Sequence, residues 1–475
     1  MNTNSEATMK LSLRGTFLIA LLLVASAFGQ ENVAKNEKLK RDSTGIDSQS
    51  VSSLRSFEAE ALREELENLR SQVEGMNESY LETKGTVDAL KKVKVSGYIQ
   101  AQYQTAETAG QNPFAGGNFP ANVKQRFSVR RGRLKANYDN DITQFVIQTD
   151  ITQAGVVVKD AYAQFTEPWL KTFALTGGIF NRPFGFEIEY SSSSRESPER
   201  SRIFQTLFPG ERDLGAKLTI TPQSKELSFL KLDLGLLNGT GPTANDFDSH
   251  KDFIGHLTMQ FPLPQHGFAL DIGGSTYLGG VREAGSVVYK NVGVLPNGAK
   301  GFLKDSSTAN IGAAADRNYF GVDAQLYYDL PILGGLTLRG EYITGKQTGT
   351  FSSTTSPTAQ PSEIVMRNFN GAYFYYIQNI GLSQQFVLKY DFYDPNTDAD
   401  VTNIGAPGSN FSTGDIKFST LGIGWVYHWD ANIKLIAYYD IVKNEKIHPL
   451  ASGNLVPFRS DLKDNVLTLR VQYKF

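Results

Sequence analysis

The 475-residue chain contains no cysteine. That removes disulfide scaffolds and thiolate metal sites, and it suits an oxidising compartment, where an unpaired thiol would be exposed to oxidation. Histidine is scarce as well. The five residues His250, His256, His266, His428 and His448 fall in no metal-ligand spacing and beside no recognisable nucleophile motif. Neither sign of charge dominates, with 47 Lys+Arg against 49 Asp+Glu, so no nucleic-acid partner is implied. No glycine-rich phosphate cradle is present, and beyond the N-terminal region no apolar run reaches the roughly 20 residues of a spanning helix. The expectation is a non-enzymatic chain with no catalytic residues, no metal and no cofactor.

What is present is alternation. In the last twelve residues, Leu467, Leu469, Val471, Tyr473 and Phe475 share one face, and Thr468, Arg470, Gln472 and Lys474 the other. A period of two with apolar and charged faces describes a strand between hydrocarbon and water, although a half-buried strand of a soluble sheet has the same period. The terminal Phe475 favours the first reading, because the last strand of bacterial outer-membrane barrels typically ends in an aromatic. Aromatics make up 11% of the chain, including 21 Tyr and 30 Phe, as a barrel with aromatic girdles requires.

The first 92 residues have a different grammar. Residues 1–29 read as a signal peptide, with Lys10 and Arg14 before the apolar run Phe17 to Val24 and a small-residue exit at Ala27-Phe28-Gly29. Residues 30–55 are polar and read as a disordered linker. Over 56–92, Leu62, Leu66, Leu69, Val73, Met76, Tyr80, Thr83, Val87 and Leu90 step by fours and threes, which predicts a periplasmic coiled coil roughly 43 Å long. A single amphipathic helix is the other reading. Gly75 and Gly85 each cost about 1 kcal/mol in a helix, so partner helices are expected to support it.

From residue 93 to 475 the period is two, and sixteen strands are predicted: 93–104, 125–138, 142–151, 156–166, 172–182, 214–221, 228–238, 251–261, 267–277, 317–329, 335–346, 370–380, 384–393, 417–429, 431–442 and 464–475. The connections after even-numbered strands are short, such as DND at 139–141 and GLS at 381–383. Those after odd-numbered strands are mostly long, the longest being 183–213, 278–316, 347–369, 394–416 and 443–463. Short turns opposite long loops mark a sixteen-stranded antiparallel transmembrane β-barrel. The four residues TQAG at 152–155 would be an unusually short external loop. Strand phase turns Arg131, Arg133, Lys135, Lys389, Lys434 and Arg470 inward, against Asp150, Asp160, Asp323, Glu341 and Asp391. A lumen so charged is expected to be wet and to act as a channel rather than a plugged barrel.

The connection after the fifth strand carries Arg182, Arg195, Arg200, Arg202 and Arg212 among Glu187, Glu189, Glu196, Glu199 and Glu211. An inward-folded loop of this kind would narrow the pore, and guanidinium forks suit phosphate-like anions. Pairing of each Arg with a neighbouring Glu would leave little net field. Arg131, Arg133, Lys135, Arg182, Arg195, Arg200, Arg202 and Arg212 are therefore the candidate pore-lining residues.

The segments RFSVRRGRLKANY at 126–138, DAYAQF at 160–165, GGIFNRPFGFE at 177–187, and SPERSRIF followed by PGERDLGAKL resemble the phosphate-selective porin O and P family. The resemblance runs from about residue 93 to the end. It implies a trimeric sixteen-stranded barrel in the outer membrane of a Gram-negative-type bacterium, in contact with its lipid and passing anions or small solutes passively. It also implies an arginine ladder, to which Arg131 and Arg133 could belong. The loops here carry no dense lysine cluster of the kind that phosphate-selective members use. Two other readings of the chain are a mechanical tether, with the coiled coil contacting the cell wall, and an outer-membrane hydrolase.

Overall fold

The computed structural model describes residues 48–475, with side chains from Ser56 onward. The expected signal peptide at 1–29 and most of the expected linker lie outside the described residues. The described chain divides between Ala89 and Leu90 into two units.

The first unit is a helix, Ser48–Lys91, of 44 residues. It takes in residues 48–55, which composition had placed in the linker. No Gly or Pro interrupts 46–74, and polarity argues against a core, not against a helix that buries none. Gly75 and Gly85 lie inside it unbroken. Its stripe of Leu62, Leu66, Leu69, Val73, Met76 and Tyr80 is more than half exposed at every position.

The second unit is a closed antiparallel barrel. Its strands are β1 (Val93–Ala106), β2 (Gln125–Asn140), β3 (Thr143–Thr152), β4 (Gly155–Thr166), β5 (Phe173–Asn181), β6 (Arg212–Ile220), β7 (Leu230–Leu237), β8 (Asp252–Leu263) and β9 (Phe268–Arg282). After the loop hairpin β10 (Val288–Val294) and β11 (Lys300–Asp305) come β12 (Ala314–Leu330), β13 (Gly334–Gly349), β14 (Ile364–Ile380), β15 (Gln384–Asp394), β16 (Phe418–His428), β17 (Ile433–Asn444) and β18 (Val466–Lys474). Leaving out the hairpin gives sixteen barrel strands, and β18 pairs with β1 to close the ring. All sixteen fall where alternation placed them. The hairpin was missed, and β9, β12, β13 and β14 run three to six residues further toward the loop end than expected. The loop after β3 is as short as predicted, with Thr152 paired to Gly155.

Phase is as read from the C-terminal strand. Leu469, Val471 and Tyr473 are exposed outward, while Thr468, Arg470 and Gln472 are buried inward. An apolar outer band over a polar inner face is the solution required of a strand-built membrane span, where closure leaves no unpaired edge.

The interior differs from expectation in one respect. Inward-facing Ile254, Tyr277, Tyr319, Ile343, Tyr373 and Tyr375 form an apolar cluster with Phe184, Ile188, Ile203, Phe204, Leu207 and Phe208 of the connection 182–211. The lumen is thus not uniformly wet. The connection brings its own hydrophobic side chains inside, and the inward aromatics and isoleucines of β8, β9 and β12–β14 exist to receive them.

A second cluster lies among the external loops, where Phe302, Val365, Ile404, Phe411, Ile416, Ile447 and Ala451 are buried together. Phe302 stands edge-on to Phe411 at 5.2 Å, and Asn410 bridges to the backbone N–H of Phe302 at 2.7 Å. The hairpin β10–β11 is held to the barrel through β14, with Val288 opposite Ile364.

The ring closes on a tight contact. The Gly97 N–H donates to the Phe475 carbonyl at 3.2 Å, and the Phe475 N–H returns a bond to the Gly97 carbonyl at 3.0 Å. A Cβ at Gly97 would lie 2.5 Å from the Arg133 carbonyl and 2.7 Å from the Phe475 ring. Gly97→Val should therefore strain the seam by about 1–3 kcal/mol. The measurement is the temperature at which the folded barrel converts to its slower-migrating unfolded form on a gel, and an unchanged temperature would contradict the account of the seam.

Candidate permeation path

The connection 182–211 enters the barrel because each piece of the motif RPFGFE has a fixed partner. Arg182 donates to Asp213 through Nε at 3.0 Å and Nη2 at 2.8 Å. Pro183 lies over Gly235, where a Cβ would come within 3.1 Å of its ring. Phe184 stacks at 5.0 Å from Phe208, above Gly321. Gly185 has φ +60°, and any side chain there would collide with the Glu341 carboxylate. That carboxylate accepts the N–H groups of Phe186 and Glu187, each at 3.3 Å, and the Tyr373 hydroxyl at 3.1 Å. Glu187 in turn accepts the Ser201 N–H at 3.1 Å, capping the return of the loop into the short helix Arg202–Leu207.

Glu199 makes the most ion pairs of the connection among the described residues. Its Oε1 accepts from Arg130 Nε at 2.8 Å and Arg470 Nη2 at 2.9 Å, and its Oε2 accepts from Arg131 Nη2 at 2.8 Å. Three guanidinium groups on one carboxylate leave a net charge of +2. Burial alone would raise the Glu199 pKa, but Arg130, Arg131 and Arg470 outweigh it and hold the carboxyl well below its ordinary range. Arg130 was not among the sequence candidates. Gln100 pairs with Arg131 and Ala101 with Val129, so Arg130 is the extra residue of a β-bulge. Two consecutive arginines inside an alternating strand were the available signal.

The eight predicted residues divide into two groups. Five are paired with carboxylates: Arg131 with Glu199, Arg133 with Asp150 at 3.5 Å, Arg182 with Asp213, Arg200 with Glu211, and Arg212 with Asp160 at 3.0 Å. Among the described residues Lys135, Arg195 and Arg202 make no ion pair. Lys135 is half-buried on the inner face of β2. Arg195 is buried, with only a 3.4 Å bond from Nη2 to the Pro198 carbonyl. Arg202 packs against two rings, its guanidinium carbon 4.3 Å from the Phe114 centroid and 3.8 Å from that of Phe418.

Three cavities follow one another along the wall β15–β18. The outermost, among the loops, measures about 530 Å³ and includes Arg202, Tyr393 and Phe418. The innermost, about 330 Å³, lies at the turn end beside Gln385, His428, Lys434 and Gln472. Between them a space of about 20 Å³ is bounded by Glu199, Arg202, Lys389, Asp391, Thr420 and Asp440. Inward positions on β15 run through all three in order: Gln385, then Lys389 and Asp391, then Tyr393. The middle space holds about one water molecule. It is a constriction, with Lys389 paired to Asp391 at 3.2 Å on one side and the Glu199 cluster on the other.

No family model and no curated protein matches this chain. Solved structures do. OprB of Pseudomonas putida superposes with a TM-score of 0.51 at 10% identity, over 82% of this chain and 96% of that one. An anion-selective porin from Comamonas acidovorans gives 0.50 at 11% identity, over 81% and 99%. The fold is that of the outer-membrane porins. A closed sixteen-stranded barrel with an apolar outer band belongs in the outer membrane.

Removing the Glu199 charge should free the loop. Glu199→Gln leaves three guanidinium groups without their anion, and the local cost is about 3–5 kcal/mol. Hydrogen-exchange protection of residues 190–205 should fall accordingly. In the unmodified protein the folded pKa of Glu199 is depressed, so its contribution is complete above the unfolded value near 4.3 and is lost as pH falls through the folded one. Protection of the loop should hold down to about pH 5 and decline only in stronger acid. An equal loss in mild acid would show that another group holds the loop.

Proposed function

We propose that this protein is a passive outer-membrane channel for small hydrophilic solutes with a preference for anions. The observation that carries the reading is the excess positive charge at the constriction: the +2 cluster around Glu199, with Arg202 beside it making no ion pair among the described residues. An anion entering this space meets the Glu199 cluster and Arg202, whose positive charge exceeds that of the remaining acid Asp440 once Asp391 is paired with Lys389, in a poorly screened passage. The fold shared with a porin described as anion-selective supports the same direction. Phosphate is one such anion, but the paired state of Arg131, Arg133, Arg182, Arg200 and Arg212 argues against a continuous ladder of free guanidinium groups. Arg202 and the Glu199 cluster are the assigned selectivity residues.

The unit of function is a homotrimer. The exposed stripe from Leu62 to Tyr80 favours an accompanying coiled coil, since partner helices would cover side chains that a lone helix leaves in water. Through it the protein could also contact the cell wall.

Planar-bilayer reversal potentials under a KCl gradient test the channel. The wild-type protein should be anion-selective, and Arg202→Glu should keep conductance while losing that preference. One unit charge at 4 Å in an effective dielectric of about 20 is worth roughly 4 kcal/mol. Unchanged reversal potentials would assign Arg202 a structural role only.

For the helix, Leu66→Asp with Leu69→Asp places charge in the seam. The segment 56–92 should then lose its helical circular dichroism and sediment as a monomer. A wild-type segment that is already monomeric and unstructured at high concentration would dismiss the coiled coil.

A further inference from the structure

We propose that the outer cavity is a binding site for an acidic sugar, a small polyhydroxylated molecule bearing one carboxylate, with Arg202 as the group that receives the carboxylate. Its part in transport rests on the channel reading above, but the binding chemistry stands on the cavity itself.

Arg202 is 7% exposed, and its Nε and Nη2 atoms have no hydrogen-bond partner among the described residues. A buried guanidinium in this state is costly, and buried donors are ordinarily satisfied. Nε and Nη2 form one edge of the planar fork, which matches the two oxygens of a carboxylate. Phe114 and Phe418 both pack against that fork and hold it in place. The site is therefore oriented before any ligand arrives.

The rest of the cavity suits a sugar better than a bare ion. Its volume, about 530 Å³, lies in the range of roughly 300–1,000 Å³ typical of small-molecule sites. Hydroxyl-bearing Ser352, Ser353, Thr354, Thr355 and Thr413 line it, with the ring of Phe458 among them. Asp464 also lines it, and its Oδ1 is buried without a partner. That carboxylate repels any anion, a small multiply charged one most, and a singly charged ligand offsets the repulsion where its hydroxyls donate to Asp464. Burial pushes Asp464 up to about 6, as is usual for a carboxylate short of donors. Arg202 and Asp464 attract one another across the cavity, and Asp391 acts on Arg202 as well, but no direct bond joins the Arg202 guanidinium to either carboxylate among the described residues; a ligand carrying both a carboxylate and hydroxyl groups would satisfy Arg202 and Asp464 together.

Calorimetric titration of the full-length protein in detergent tests this, with galacturonate, galactose and inorganic phosphate as probes. Galacturonate should bind saturably, with galactose and phosphate at least about tenfold weaker, since hydrogen bonds to a charged partner are worth that much or more. Arg202→Gln should lose about the same factor. Asn112→Asp provides a variant that leaves the fold alone, because Asn112 is an exposed cavity residue. The added negative charge should weaken galacturonate and leave galactose unchanged. Equal binding of phosphate would reduce the site to a simple anion site, and equal binding of galactose to a neutral-sugar site; either overturns the proposal. Absence of galacturonate binding by a protein that conducts in bilayers overturns it too, and leaves the channel standing. Galacturonate binding by a protein that does not conduct supports the site and removes the channel reading instead.

Discussion

A carboxylate shared by three guanidinium groups organises the inside of this barrel. Glu199 reaches Arg130 and Arg131 on β2 and Arg470 on β18, two strands that flank β1 on opposite sides. A buried acid of this kind is tolerated only because its desolvation is offset by several charge-assisted bonds at once. That compensation pins the return arm of the connection 182–211 between β2 and β18, just ahead of Ile203, Phe204 and Phe208, while Arg182 with Asp213 and the close fit of Gly185 on Glu341 hold its entry.

The wall and its filling obey different rules. Along the strands, lipid on one side and polar interior on the other enforce alternation, and the register of β1 with β18 carries this to the last residue. Inside, the rule changes wherever the loop touches. Inward Tyr277, Tyr319, Ile343 and Tyr373 are apolar or amphipathic because they pack against the loop, whereas inward Lys389, Asp391, Thr420 and Asp440 face the constriction. One lumen thus contains an apolar side that positions the connection and a charged side that bounds the constriction.

This division explains what was legible in the sequence. The sixteen strands, the short turns and the inward phase of Arg131, Lys389 and Arg470 follow from a period of two, which needs no tertiary information. The inward pull of the arginine-rich connection was legible from its charges, but its partners were not, because Arg182 meets Asp213 and Arg339 meets Glu196 only after the barrel closes. Arg130 was hidden by a bulge, which shifts phase within a strand. The hairpin Val288–Asp305 was hidden by its place in a long external connection, where seven- and six-residue strands separated by Leu295–Ala299 give little periodicity to count. Phe114 and Phe418 carried no signal at all. Their packing against Arg202 exists only in three dimensions.

The buried cluster among the external loops has a consequence for how this surface can drift over evolutionary time. Phe302, Val365, Ile404, Phe411, Ile416 and Ile447 come from four separate stretches of chain yet exclude water together. A volume change in one must be matched in another, as in any close-packed interior. Outside-facing segments of a barrel are ordinarily its freest to vary. Here lineage-to-lineage variation should collect in stretches that avoid the cluster, such as 243–250, while the clustered loops co-vary as a block. The outward-facing surface would then change by a few tips at a time, over a foundation that stays put.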